Sequence, residues 1–270
     1  MGKKFSIIIS VHDQFNLLDQ CLQSIIKNTA QDYEVILSDS ASHRKLSEYY
    51  THFDFTSNIE NLKVVEDHEK PGFSRAVNNG MQAASDESDY YVWLNSDTIV
   101  TENWLKGIEN QDLCSPISNN ATYQSMIPID KKDLHHIEGF LKTVKFENLK
   151  VSFLNGFCYI ISNEVFKSIG YLDEKYFPNY GSEDDYSLRA KLKDFQAEIL
   201  TNNFVYHLGN QSYKEAANSA MRNIDKTFLS RYPKSWFDSL ITIHTVQTRS
   251  TRHDILEKFI EYMKGLYNNG

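Results

Sequence analysis

Two short stretches place acids where a fold alone does not call for them. In "YYVWLNSDTIV" the apolar run from Tyr90 ends in Asn95, Ser96 and Asp97 before apolar residues resume. In "GSEDDYSLR" the acids Glu183, Asp184 and Asp185 follow one another at the start of a helical pattern. A carboxylate at a strand tip suits a hard cation such as Mg²⁺ or Mn²⁺, which takes oxygen ligands and bridges substrate phosphates. One acid of a cluster at the mouth of a cleft suits removal of a proton from a substrate hydroxyl. Each stretch also has a plainer reading. Asn, Ser and Asp make Asx-turns, acids at a helix start answer the dipole, and Ser182 with Asp185 resembles a capping box. "VYHLGNQS" adds His207 directly after a strand-like run, where a histidine is either structural or a second metal ligand.

The elements that must hold these residues are legible in the apolar pattern. Phe5–Val11 is a continuous apolar run, as expected of a strand buried on both faces. Leu17, Leu18, Cys21, Leu22, Ile25 and Ile26 form one helical stripe. Tyr33–Asp39 and Leu62–Asp67 predict two more strands, "GFSRAVNNGMQAAS" a glycine-started helix, and "YYVWLNSD" a fourth strand. This alternation implies βαβ units and a largely parallel sheet. In such sheets ligands sit beyond the carboxyl ends of the strands. That singles out His12-Asp13, Asp39, Asp67-His68 and Asn95-Ser96-Asp97.

The second half is less regular. "LCSPIS" predicts a strand, 122–148 a loop-rich stretch, and Val151–Ser162 a strand bent at Asn155-Gly156. Ser162 caps a helix that Gly170 ends, the acid cluster opens another, and "AEIL" and "FVYH" read as two strands. From Lys214 the chain reads as helical, with Ile255, Phe259, Tyr262, Met263 and Leu266 on one stripe of the last helix. The pattern places "RSTRH" before that helix, offering positive charge that Glu257 and Glu261 dilute. Packing or dimerisation, and docking on a membrane surface, are the two readings of this extension.

Bulk properties bound the rest. The 270 residues are 41% hydrophobic, enough for one large α/β domain or two small ones. A formal charge of -8 argues against a nucleic-acid binder working through bulk positive charge. Cys21, Cys114 and Cys158 lack metal or redox spacing and read as reduced, buried thiols. No signal-peptide pattern and no apolar run of membrane-spanning length is seen, so the expectation is a cytoplasmic protein, at most peripheral at the inner membrane face. Neither a G-x-x-x-x-G-K-[ST] loop nor a G-x-G-x-x-G follows the first strand, which leaves a divalent metal as the natural means of holding phosphates.

In order, "SIIISVHDQ", "EVILSDSAS", "KPGFSRAVNNG", "YVWLNSDTIV", "LNGFCYIIS…GYLDEKYFPNYGSEDDYSLRA" and "VYHLGNQS" resemble a family 2 glycosyltransferase of the GT-A fold, most similar to its rhamnosyltransferase-like, polysaccharide-building branch. The resemblance spans roughly residues 5–212. It implies an α/β fold with a mixed, mostly parallel central sheet flanked by helices: a nucleotide-sugar half over 1–112, an acceptor-binding half over 113–213, and a helical extension over 214–270. It also implies Val11, His12 and Asp13 near a uridine-type base, with Asp39 accepting from the base N–H. The same resemblance implies Gly72 packed against the donor, with Arg75 and Asn79 facing the diphosphate or sugar. It matches Asp97 to the last acid of the family's D-x-D motif and so implies that Asp97 ligates Mn²⁺ or Mg²⁺, with His207 as the histidine ligand. It also implies that Asn155-Gly156 lies where acceptor and sugar meet.

Two departures stand out. Asn95 replaces the first acid of D-x-D, with Ser96 between it and Asp97. The family's E-D-x-D-L-x-x-R pattern is one residue short between Glu183 and Arg189. Alignment from the acids makes Asp184 the base, alignment from Arg189 favours Glu183, and Asp185 stays a rival. The implied activity is inverting, metal-dependent transfer of a sugar from a UDP- or dTDP-type donor to a glycan or lipid-linked saccharide in surface polysaccharide synthesis. A catalytically silent GT-A module and a sugar nucleotidyltransferase are the alternatives.

Overall fold

The structure, a computed structural model, describes residues 2–50, 59, 61–209 and 227–268. Strand β1 (Lys4–Val11) is central to the first half. It runs parallel to β2 (Asp32–Asp39) on one side and to β4 (Tyr90–Asn95) on the other, while β3 (Leu62–Val65) extends the sheet beyond β2. Alternate side chains of β1 enter two apolar layers, as a strand covered on both faces requires. Ile7 and Ile9 pack with Leu18, Cys21, Leu22 and Ile25 of α1 (Phe15–Asn28). Ile8 packs with Val77 and Met81 of α3 (Phe73–Ala83). A short helix α2 (Leu46–Tyr50) follows β2.

The sheet continues without a break into the second half, in the order β3-β2-β1-β4-β8-β6-β9-β5, with β7 beside β9, nine strands among the described residues. Here β5 is Thr98–Val100, β6 Leu113–Ile117, β7 Leu149–Val151, β8 Cys158–Ser162 and β9 Ala197–His207. β8 runs antiparallel to β4, β6 parallel to β9, and β5 antiparallel to β9. The architecture is therefore the expected mixed, mostly parallel sheet flanked by helices. Ser162 caps α5 (Asn163–Ile169) by accepting from the Val165 N–H, and Gly170, at φ 77°, closes it, both as the sequence predicts.

Several local expectations are corrected. Ser182 does not cap α6 (Ser182–Lys191): the cap is Gly181 at φ 81°, with no side-chain cap bond, and Ser182 already lies in the first turn. The left-handed turn-in to the helix needs a residue without a Cβ penalty, and Gly181 supplies it. "AEIL" and "FVYH" are one strand, β9, because a register irregularity opposite Pro116/Ile117 lets β6 follow it past the polar residues between them. The stretch expected to be loop-rich contains helix α4 (Leu134–Thr143), which buries Ile137 and Phe140. "RSTRH" lies inside, not ahead of, the 35-residue helix α7 (Lys234–Asn268).

The buried stripe of α7 is used within the same chain, which supports packing as the role of the extension. Ile255 and Phe259 enter the second core layer, Phe259 stacks edge-on to Phe140, and Phe153 meets Phe237. Leu266, expected on that stripe, is exposed. Of the extension, 214–226 and 269–270 lie outside the described residues, as do 210–213 before it. No helix among the described residues is long and apolar enough to cross a membrane, and all three cysteines are buried free thiols.

Candidate active site at the strand tips

The tip of β4 is built to hold Asp97 still. The Asn95 N–H donates to Phe157 O (2.9 Å), and Thr98 Oγ1 donates back to Asn95 O (2.7 Å), closing the turn. β5 then pairs with β9 so that Thr98 faces His207. The Leu208 N–H donates to Asp97 O at 3.0 Å. Sheet registry thus sets Asp97 beside a histidine 110 positions along the chain, both side chains almost fully buried.

The histidine's tautomer follows from its neighbours. His207 Nδ1 lies 2.6 Å from Asn120 O, and a carbonyl can only accept, so the proton is on Nδ1. Asn119 grips the backbone on both sides: its Oδ1 accepts from His207 N (2.8 Å) and its Nδ2 donates to His207 O (3.1 Å). The Phe157 ring stacks on the imidazole, centroids 5.4 Å apart. In the neutral ring the Nε2 lone pair then points at Asp97 Oδ1, 3.3 Å away, with the Asn95 amide nitrogen at 3.5 Å. Two acceptors facing each other across this distance want a cation between them. Ligands at about 2.1 Å on adjacent octahedral positions lie ~3.0 Å apart, so the pair fits a hard divalent ion. Among the described residues no third His, Cys, Asp or Glu joins them, so the remaining positions would fall to Asn95, water or a ligand.

Phe157 connects this seat to the acid cluster. Two residues upstream, Asn155 accepts from the Phe157 N–H through its own Oδ1 (3.2 Å) and takes Gln124 Oε1 on its N–H (2.6 Å). A Cβ on Gly156 would stand 3.3 Å from Cδ of Glu183, so Glu183 lies directly against the Asn155-Gly156 bend. The three successive acids occupy three different environments. Burial pushes the Glu183 carboxyl up, partly offset by bonds from Ser182, Gly181 and Gly156. Asp184 is part-buried and accepts no hydrogen bond from any of the described residues. Burial and then the charges of Glu183 and Asp185 hold it well above the usual carboxylate range. Asp185 is fully buried and fully engaged, by Tyr232 Oη (2.7 Å), Arg189 Nε (2.8 Å) and Arg231 Nη1 (3.4 Å). Donors therefore occupy both oxygens of Asp185, while Glu183 and Asp184 are only part-buried.

At the other strand exits, Val11 O accepts from the Ser40 N–H at 2.7 Å, joining the ends of β1 and β2. His12 Nδ1 meets Ser40 O at 2.7 Å. Asp13, left-handed at φ 51°, caps the His43 N–H (2.8 Å) and pairs with its ring (2.7 Å). Burial opposes ionisation there, but His43 holds Asp13 below the usual range. Asp39 is almost fully buried, bonded by the Ser42 N–H at 3.2 and 3.3 Å and facing His68 Nδ1 at 3.4 Å. The Gly72 N–H donates to Ser40 Oγ at 2.8 Å, drawing the start of α3 to the same edge. Arg75 and Asn79 both bond Asp67, Asn79 at 3.0 Å. That acid lies after β3, and the pairing was not anticipated. Asn119 and Asn120 were also missed, although they follow β6 and the strand-exit rule applied to that strand would have found them.

The family model described as "Glycosyl transferase family 2" matches residues 6–170. Glycosyltransferase GlyG of Streptococcus pneumoniae is 29% identical over 111 residues, which are 41% of this chain and 36% of that protein. Among solved structures, the mannosyltransferase PcManGT of Pyrobaculum calidifontis, in complex with GDP-Man and Mn²⁺, superposes with a TM-score of 0.62 at 14% identity, covering 100% of this chain and 76% of that one. GalNAc-T7 with UDP, GalNAc and Mn²⁺ gives 0.59 at 16% identity, covering 78% of this chain and 45% of that one. Residues 1–349 of S. aureus TarS give 0.55 at 16% identity, covering 96% and 71%. These structures share the fold with this chain.

Proposed function

The chain belongs to glycosyl transferase family 2, and on that premise we propose that it transfers a sugar, with inversion, from a nucleoside-diphosphate donor to a saccharide hydroxyl. The carrying observation is the Asp97–His207 pair at the tip of β4, with Nε2 and Oδ1 facing each other at 3.3 Å. Asp97 and His207 would hold Mn²⁺ or Mg²⁺, with Asn95 and Ser96 bordering the ion. Bound there, the ion supplies charge neutralisation for the departing diphosphate. PcManGT and GalNAc-T7, which have the same fold, were solved with Mn²⁺ and a nucleotide or nucleotide sugar.

The chain's own residues divide the remaining work. Asp39, at the exit of β2, accepts from a base N–H, with Val11, His12 and Asp13 lining the base and ribose. Gly72 admits the donor close to the backbone, and Arg75 and Asn79, held by Asp67, border the diphosphate. Asn155-Gly156 lies between sugar and acceptor. Asp184 takes the acceptor's hydroxyl proton as that oxygen bonds to the anomeric carbon. The bond from that carbon to the diphosphate oxygen breaks on the opposite face, so one displacement inverts the centre. A carboxylate held above its usual range is a stronger base for this step. The donor is a UDP- or dTDP-sugar, and the acceptor a glycan or lipid-linked saccharide of a surface polysaccharide. The reaction faces the cytoplasm.

A release assay tests this reading. The protein is mixed with UDP-, dTDP- and GDP-sugars in Mn²⁺, Mg²⁺ or EDTA, beside Asp97→Ala and Asp184→Asn. Release of nucleoside diphosphate from one donor, lost with EDTA or Asp97→Ala, is expected. Pyrophosphate as the product would instead indicate a nucleotidyltransferase. Absence of both turnover and metal-dependent donor binding would leave a silent module and sink the proposal.

A further inference from the structure

The buried acid Asp185 is more elaborately bound than a helix start requires. It is wholly enclosed, and its partners come from both ends of the second half. Arg189 lies one turn on in α6 (2.8 Å), while Arg231 (3.4 Å) and Tyr232 Oη (2.7 Å) come from just ahead of α7. Arg231 also binds Asp173 at 2.6 Å, and its guanidinium lies over the rings of Tyr176 and Phe177. Tyr232 and Phe228 stack on each other, and Phe228 packs on Phe177. Asp173, Tyr176 and Phe177 belong to the 171–181 loop, which ends at the Gly181 turn into α6. The same loop fastens the start of α3: Pro178 O accepts from Ser74 N (3.0 Å), and Asn179 Oδ1 accepts from Phe73 N (3.1 Å). One clamp from the C-terminal segment therefore grips both the loop and the acid helix.

A buried ion-pair network is weak evidence for stability, because apolar residues of similar size often stabilise a fold as well or better. What such a network adds is a fixed geometry. Here the element it fixes is the first helical turn, which carries Asp184.

We propose that Asp185, Arg231 and Tyr232 are positioning residues, through which the C-terminal segment holds the first turn of α6 so that Asp184 is aimed at the acceptor hydroxyl. The inference rests on the reading of Asp184 as the base. It makes the C-terminal segment part of the active site without contact with either substrate. A carboxylate misplaced by about 1 Å costs on the order of 10²-fold in rate, so the clamp acts on turnover and leaves donor binding alone.

Around Asp184 lie Glu183 and Asp185 on its own helix and Tyr159 on β8, with Arg189, Arg231 and Tyr232 beyond Asp185. Tyr232→Phe removes an O–H donor from this group and Arg231→Gln removes a cation. Both changes leave Asp184 less readily ionised, so the acid limb of the rate profile moves to higher pH.

The test measures kcat, donor KM and the pH profile for the full-length wild type, Tyr232→Phe, Arg231→Gln and Asp184→Asn. It uses whichever UDP-, dTDP- or GDP-sugar the wild type turns over in Mn²⁺. The expected result is a fall in kcat of roughly tenfold or more in both clamp variants, an unchanged KM, and an acid limb displaced upward. Wild-type kcat in both variants would overturn the inference. So would a loss that only follows the folded fraction and leaves the limb in place, since that is a purely structural role. Equal turnover by wild type and Asp184→Asn would overturn the reading of Asp184 itself, and the inference with it.

Discussion

Two neighbouring acids should respond in opposite ways to the same substitution. Asp184 is part-buried and accepts no hydrogen bond among the described residues; burial first, and then the like charges of Glu183 and Asp185, raise its carboxyl well above the usual range. Asp184→Asn keeps the shape and removes the charge. The gain expected at neutral pH is about 1–2 kcal/mol, the lower part of the range for an unmet polar group because the site is partly open to water. For a chain of 270 residues that is a rise of ~2–8 °C in Tm. The sign follows from linkage. With the folded pKa above the unfolded one, the ionised group is a handicap to the folded state once the pH exceeds the folded pKa. The handicap fades as pH falls through the folded pKa towards the unfolded value of about 3.9. The advantage of Asp184→Asn should therefore be full at pH 8 and gone near pH 4.

Asp185→Asn removes a charge that has three donors, taking from Arg189 its carboxylate partner and from Arg231 one of two, so it should cost about 3 kcal/mol or more, roughly 6–12 °C. Thermal unfolding of wild type and both variants from pH 8 to pH 4 is the assay. Turnover by Asp184→Asn, measured in parallel, should fall by ~10²–10⁴-fold. A lower Tm for Asp184→Asn at every pH, or a gain that ignores pH, would refute the reasoning. So would a harmless Asp185→Asn.

Two further outcomes follow from the packing. Gly80→Ala drives a Cβ into Cγ2 of Ile8, where α3 packs on β1. Overpacking there should cost about 1–3 kcal/mol, read as a lower denaturation midpoint. Asn119→Ala removes both bonds that fix the His207 backbone. It should weaken Mn²⁺ binding, measured by calorimetry, about 10–100-fold, as loss of an outer-shell partner typically does, with little change in Tm.

The sequence by itself determined the main strands and helices of the first half and their order, but neither α4 nor the unity of β9. The apolar runs of β1, β2 and β4 and the stripes of α1 and α3 are local patterns, as are the Ser162 cap and the Gly170 stop. So is the position of Asp97 at a strand end, because a strand's tip is where its apolar run stops. Only the tertiary structure decided what those tips face. The pairing of β5 with β9 brings His207 to Asp97, and the hydrogen bond from His207 to Asn120 sets which nitrogen is offered; neither is encoded within a few residues. The roles of Glu183, Asp184 and Asp185 differ for the same reason. Three adjacent carboxylates look alike in a string. They separate only when one lies against Gly156, one meets no donor among the described residues, and one meets an arginine and a tyrosine more than forty residues away. Burial and charge act through space, and for acids one residue apart they can take opposite signs.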